Sequence, residues 1–366
     1  MPRLNRRECM QGMLATVAAA AAPALAVPKS SAAQRSSESG ETIKLALMLH
    51  PGENHMVKLA LQMGVTHAIA SVLHPLSLVP RSKYVETLKR IKAEFNAAGI
   101  TIAGVENHPV PTEKITLGLP GRDEEIENYI AAIKALSQVG VHMICYGFVA
   151  GLGWVRTTKD HRGRGDALEM AYDDRVEEKE GLTKWGRVSA DQMWHNLEYF
   201  QKAVIPVAEK ANVRMALHPN DPPIPEIRGI ARILVSATNY RRAMNIVPSP
   251  VNGVTFDQAI FYLMGENIQE LAREWCKENK IFFIHARNLV GNRYQFVETF
   301  QDNGSINFGE MFQTYYENGF RGPIRPDHDP TMDGDPNTHP GYEPEGKIFG
   351  IGYIKGIMAS RNIPYS

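Results

Sequence analysis

The chain has 366 residues, 43% hydrophobic and 22% charged, which is enough apolar material to bury a sizeable core. Its 40 basic residues balance its 40 acidic ones, so bulk charge gives no reason to expect nucleic acid or an anionic membrane as a partner. Three cysteines, Cys9, Cys145 and Cys276, are too few and too scattered for a disulfide framework.

The N-terminal stretch differs from everything after it. "NRRECMQGMLATVAAAAAPALAVP" has a basic start, an Ala-rich apolar run and a small-residue site at Ala24-Leu25-Ala26. That is the layout of an export signal, and the run is too short and too Ala-rich for a membrane span. Arg6-Arg7 gives it a twin-arginine character, although Cys9 stands where a bulkier apolar residue is usual. This route delivers a folded protein to the periplasm, which suits an enzyme that takes up a metal before export. Residues 1–33 are therefore expected to hold the signal and the start of a Ser-rich linker, and residues 34–41 the rest of that linker. Residues 42–366 are expected to form one catalytic domain, free of the membrane once the signal is removed.

From residue 42 on, short apolar runs alternate with helical patterns. The runs lie at 43–50, 66–74, 100–107, 141–148, 213–219, 253–258, 281–288 and 322–328. Helical stretches include 122–140 and 189–211, and the last covers 352–360. Nearly continuous apolar strands alternating with helices predict a parallel sheet covered by helices. Eight such units predict an α/β fold of the (β/α)₈ barrel type. No glycine-rich phosphate loop follows the first strand, against a dinucleotide-binding fold.

Each run ends in a polar residue: His50, His74, Glu106 with Asn107, Tyr146, His218, Asp257, His285 with Arg287, and Asp327 with His328. In a barrel these ends share one face, where active sites form. Four consecutive strands thus offer His218, Asp257, His285 and Asp327 to a single divalent cation. Two imidazoles and two carboxylates suit Mn²⁺, Co²⁺, Ni²⁺ or Zn²⁺. Cys145 within a strand and Cys276 on a helix read as inert. The segment 154–170, "WVRTTKDHRGRGDALEM", reads as a lid that could carry Arg156 or His161 to a substrate, and 330–346 as a loop returning Tyr342 to the site.

The segments "RMALHPNDPPIPEIRGIARI", "GLPGRDEEIENYIAAIKALSQVGVHMICYGF", "FFIHARNL", "GFRGPIRPDHDP" and "HPGYEPEG" resemble the mannonate dehydratase family over about residues 43–360. The resemblance implies a xylose-isomerase-like barrel with inserted active-site loops and a divalent metal, Mn²⁺ first and Fe²⁺ among the alternatives. It also implies loss of water from a small sugar acid to give a 2-keto-3-deoxy acid, and a homodimer. His218, His285 and Asp327 match the family's metal ligands, and Asp257 takes the place of a cysteine. His328 and Tyr342 match its acid/base pair, with their individual roles left open. Arg325 is placed for the substrate carboxylate, and Arg287, Tyr146, Arg156, Glu106 and His50 complete the expected substrate contacts. Four departures mark this chain: Gly147 and Gly153 replace polar groups, Asp257 replaces the soft ligand, and Asp329 stands where glycine is usual. Two other readings stay open: a metal-dependent sugar or sugar-acid isomerase or epimerase of the same superfamily, and a non-catalytic periplasmic sugar-acid binder.

Overall fold

The computed structural model describes residues 41–366, so the expected export signal and nearly all of the expected linker lie outside the described residues. Eight parallel strands carry the barrel: β1 (Lys44–Leu49), β2 (His67–Ala70), β3 (Thr101–Glu106), β4 (Met143–Tyr146), β5 (Arg214–Leu217), β6 (Asn252–Asp257), β7 (Ile281–His285) and β8 (Pro323–Arg325). They close in chain order, with β8 pairing back to β1. Each expected run overlaps one strand, and every strand but β6, which starts one residue before its run, is shorter than the run that contains it.

Alternation along the strands sorts the core into two buried clusters. Leu45, Leu47, Ile144, Met215, Leu217 and Ile284 join the large cluster under the helices. Their neighbours Ala46, Met143, Cys145, Ala216 and Phe283 belong to a small separate cluster that also holds Ile69 and Phe282. Side chains two apart share a face, so the second set fills the barrel axis. Continuing that face by one step leads from Ala216 to His218, from Thr255 to Asp257 and from Phe283 to His285. The pleat itself therefore aims these polar groups at the top of the axis. The register completes the alignment, because Asp257 pairs with His285, and His285 with Arg325.

Two of the expected helices begin where the sequence says they should. α1 (Arg122–Gln138) carries Asp123, Glu124 and Glu125 in its first turn, which favours the positive end of the helix dipole. α2 (Ala190–Lys210) is capped by the Ser189 hydroxyl, which accepts from the Gln192 amide. The short α3 (Gln258–Leu263) is capped by Asp257 itself. The last helix, α4 (Pro344–Ser360), starts eight residues before its expected beginning. Gly346 and Gly350 disguised that first half in the sequence. A Cβ at Gly346 would stand 2.4 Å from the Pro330 carbonyl oxygen, and one at Gly350 would stand 2.7 Å from Asp329 Oδ1. The helix can lie against the 329–330 backbone only with glycine at these two positions.

The segment expected as a lid after β4 is instead part of a sheet. Strands Thr158–Arg162 and Leu168–Asp173 join Gln295–Thr299 and Asn288–Asn292 in a four-stranded antiparallel sheet outside the barrel. Thr158–Arg162 is almost wholly exposed, so it lacks the apolar alternation by which a strand is recognised. Two insertions far apart in sequence thus build one accessory layer.

Candidate active site

A cavity of about 850 Å³ opens at the carboxyl ends of the barrel strands. Its floor includes Glu106, His218, His285, Asp327, His328 and Tyr342. His218 Nε2 and His285 Nδ1 face each other at 3.1 Å. Asp257 Oδ2 lies 3.6 Å from the first and 3.8 Å from the second, and Asp327 Oδ2 lies 3.4 Å from His285 Nδ1. Ligand bonds of about 2.1 Å give donor–donor edges of roughly 3.0–3.4 Å, so His218, Asp257 and His285 sit near the spacing of one coordination shell, with Asp327 reaching it from the His285 side. Asp257 divides its labour: Oδ1 accepts from the Ala259 and Ile260 amides at the start of α3, which turns Oδ2 to the histidines and to Arg287, whose Nη2 donates to it at 2.7 Å.

Charge points the same way. Glu106, Asp221, Asp257, Glu298 and Asp327 form one buried ion-pair network with Arg156, Arg287 and Arg325. Five carboxylates against three guanidiniums leave an excess of two negative charges, the amount a divalent cation neutralises. His285 registers that excess. Burial disfavours its charged form, as does Arg325, yet Asp327, Glu106 and Asp257 outweigh both and push it up to about 10. Its Nε2 has no well-aligned hydrogen-bond partner, with Glu106 Oε1 at 3.3 Å. That is the arrangement of a ligand imidazole whose far nitrogen faces a carboxylate. Against the effect of burial, Arg287 holds Asp257, and His328 with Arg325 holds Asp327, well below the usual carboxylate range. The residues present therefore fit a divalent metal. Two nearby groupings do not. Burial keeps Cys145 a thiol well above its ordinary value, and the space among Asp221, Glu298 and His328 is filled by the guanidiniums of Arg156 and Arg287.

The second constellation is a proton relay. His328 Nε2 lies 3.0 Å from the Tyr342 hydroxyl, and His328 Nδ1 lies 3.0 Å from both Glu298 oxygens. Arg287 Nη1, itself a donor, also lies 2.9 Å from Nδ1, but two carboxylate oxygens around the same nitrogen favour hydrogen on it, donated to Glu298. Nε2 is then the acceptor, and Tyr342 O–H donates to it. Glu298 is kept ionised: burial favours its neutral form, but Arg156, His328 and Arg287 hold it down at about 2. Tyr342 moves the other way, since burial, reinforced by Asp327, holds its hydroxyl well above the usual tyrosine range. Tyr342 is positioned by Lys347, whose ammonium sits 4.8 Å over the tyrosine ring. Lys347 donates to the carbonyl of Asp327, to that of Gly341 at 2.9 Å and to Asp329 Oδ2 at 2.5 Å.

The expected substrate contacts divide. His50 and Glu106 line the cavity. Arg325, Arg287, Arg156 and Tyr146 stand behind its wall. Arg325 donates to Glu106 Oε2 at 2.9 Å and Oε1 at 2.6 Å, and to Asp327 at 2.8 Å. Arg287 ties together Asp221, Asp257, Glu298 and Asp327. Arg156 binds Asp221 and Glu298, and the Tyr146 hydroxyl accepts from Gln201. Their polar groups face protein, so they shape the site and do not touch what enters it. His161 is exposed on the accessory sheet, away from the cavity wall. Sequence reasoning missed Glu298, Asp221 and Lys347. Asp221 stood inside the quoted "HPNDPP" and could have been weighed, whereas Glu298 comes from the accessory sheet and carried no signal.

Barrel and site together define a xylose-isomerase-like TIM barrel with two imidazoles and two carboxylates gathered at its top, beside a Glu–His–Tyr relay. The D-mannonate dehydratase (UxuA) family matches residues 46–184 and 164–364, and the chain belongs to that family. A mannonate dehydratase of Thermotoga maritima is 32% identical over 345 residues, covering 84% of this chain and 94% of its own. One of Streptococcus uberis is 32% identical over 299 residues, covering 74% and 85%. The solved mannonate dehydratase of Streptococcus suis superposes with a TM-score of 0.78 at 26% identity, over 89% of this chain and 96% of that one. D-psicose 3-epimerase of Clostridium cellulolyticum, at 14% identity and a TM-score of 0.55 over 88% and 100%, shares the fold.

Proposed function

We propose that the protein is a hydro-lyase that removes water from D-mannonate or a closely related sugar acid, leaving a 2-keto-3-deoxy acid. The observation that carries this reading is the Glu298–His328–Tyr342 relay beside the four converging ligand groups, in a chain of the D-mannonate dehydratase family.

A proton α to a carboxylate is weakly acidic, and its removal leaves charge on that carboxylate. A divalent cation at His218, Asp257, His285 and Asp327, with Mn²⁺ our first choice, would supply charge stabilisation for it. The protein does the rest. His328, with Nδ1–H committed to Glu298, presents the Nε2 lone pair as the base for the C2 proton. Tyr342 stays protonated, so its hydroxyl is the acid: it gives its proton to the C3 oxygen as the C3–O bond breaks and water leaves. The resulting enol takes a proton at C3 and becomes the 2-keto acid. Arg287 and Arg156 keep Glu298 ionised throughout, which fixes the tautomer of His328. The twin-arginine character of residues 1–33 supports a periplasmic location for this chemistry.

The test is proton NMR of the Mn²⁺-loaded protein with D-mannonate in deuterated water. A 2-keto-3-deoxy product is expected. Deuterium entry at C2 with no loss of water would point to epimerase chemistry, and bound acid with an unchanged spectrum to a binding protein.

A further inference from the structure

We infer that the active-site cavity contains a second sugar subsite, formed by Gly147, Gly153 and Trp154, and that the substrate is a hexonic acid carrying a glycosyl group. This rests on the dehydratase reading of the floor and extends it to the size of the substrate.

Three observations carry it. First, Gly147 and Gly153 both line the cavity, and neither has a positive φ. A Cβ built on either would meet nothing within 4 Å. Gly341 in the same region is different, since it has φ of +86° and its Cβ would stand 2.5 Å from Met170 Cε. Backbone and packing thus demand glycine at Gly341 and demand nothing at Gly147 and Gly153. Glycine carries an entropic cost on folding, so what these two positions provide is open space in the cavity wall.

Second, that space lies beside an aromatic platform. Trp154 follows Gly153, lines the cavity and is 42% exposed, although its ring lies only 5.2 Å from that of His328. Lys159 Nζ and Arg156 Cζ stand 5.6 and 5.7 Å from the ring centroid, yet the ring remains partly exposed next to a buried reaction centre, a surface open to a partner. The flat C–H face of a pyranose matches it.

Third, the cavity exceeds what the floor chemistry needs. At about 850 Å³ it lies toward the upper end of ligand sites, whereas the ionic groups that define the reaction make up only part of its lining. Much of the remaining wall is apolar, including Met56, Leu73, Val110, Pro111 and Val149, with His50 and His55 as hydrogen-bonding groups. Largely apolar walls with a few polar groups are how a site takes a bulky ligand in one orientation. The reaction itself limits where the extra sugar is attached. C1 is the carboxylate and C2 and C3 lose hydrogen and hydroxyl, so only O4, O5 or O6 can carry it.

The test is calorimetric titration of the full-length, Mn²⁺-loaded protein with D-mannonate and with its 4-O- and 6-O-glucosyl derivatives, each also followed by NMR for loss of water. One glucosyl acid is expected to bind about tenfold or more tighter than D-mannonate. Gly153→Asp and Trp154→Ala are each expected to bring that ratio within about threefold of unity. Glucosyl acids that bind no tighter than D-mannonate would overturn the subsite while leaving the dehydratase reading intact. A preference that neither variant alters would overturn the assignment to these residues. Tighter glucosyl binding without water loss from any of the three acids would sink the dehydratase reading and uphold the subsite. Should a variant fail to fold, the wild-type ratio and the Gly147→Asn ratio decide.

Discussion

The floor and the mouth of the cavity are built on opposite terms. On the floor and just behind it, His285, Arg287, Arg325, Asp257, Asp327 and His328 are all at most 3% exposed, and each has polar atoms facing charged neighbours. At the mouth, His50 and His55 are exposed, Trp154 is half in water, and Gly147 and Gly153 have nothing near them. The floor has many constraints per side chain and the mouth almost none. A substitution on the floor should therefore disturb several partners at once, whereas one at the mouth should alter what binds and leave the fold alone.

The largest effect is expected at the relay. His328→Gln and Tyr342→Phe should each lower kcat by about a thousandfold or more while bound metal, measured by elemental analysis, stays at the wild-type level. Metal loss in either variant would merge the two constellations separated here. Glu298→Gln should follow, lowering kcat by about a hundredfold or more by freeing the tautomer of His328. It should also reshape acid stability. The folded-state value of Glu298, about 2, is depressed below its ordinary 4.5, so its contribution is present above pH 4.5 and is lost as pH falls toward 2. Denaturant melts of the wild type across that window should therefore show a loss on the order of 3 kcal/mol that Glu298→Gln removes.

Lys347→Met tests the anchoring of Tyr342. It leaves Asp329 buried with Gln301 as its remaining side-chain partner, and should cost about 3 kcal/mol in denaturant unfolding. Adding Asp329→Asn should restore most of that loss, because the unpaired buried charge goes with it. The smallest effect belongs to the mouth. Gly147→Ala should leave stability unchanged or raise it by up to about 1 kcal/mol, since the backbone angle is ordinary and the space is empty. A clear loss there would show that the fold does depend on this glycine and would blunt the contrast.

Much of the floor was legible in the sequence because a strand's pleat is a rule of period two. His218, Asp257 and His285 continue inward-facing positions, so an apolar run with a polar end was enough to place them. The same rule could not tell which charged residues touch a ligand. Arg325 pairs with Glu106, 219 positions away, and Arg156 with Glu298, 142 away. A guanidinium matched by so distant a carboxylate looks, in the sequence, like one held ready for substrate. Glu298 was beyond reach for another reason: its strand lies in an insertion whose partner strands come from elsewhere in the chain.

That origin of Glu298 has a consequence for how such an enzyme diversifies. The barrel contributes the groups proposed to hold a cation, and the accessory sheet contributes the carboxylate that faces His328 Nδ1. The two are separable in inheritance. A homologous barrel that lost or rebuilt these insertions would keep its ion and forfeit control of the proton, and so would be free to drift toward reactions that need only the ion. The outer sheet thus carries one of the groups on which the proposed proton transfer depends.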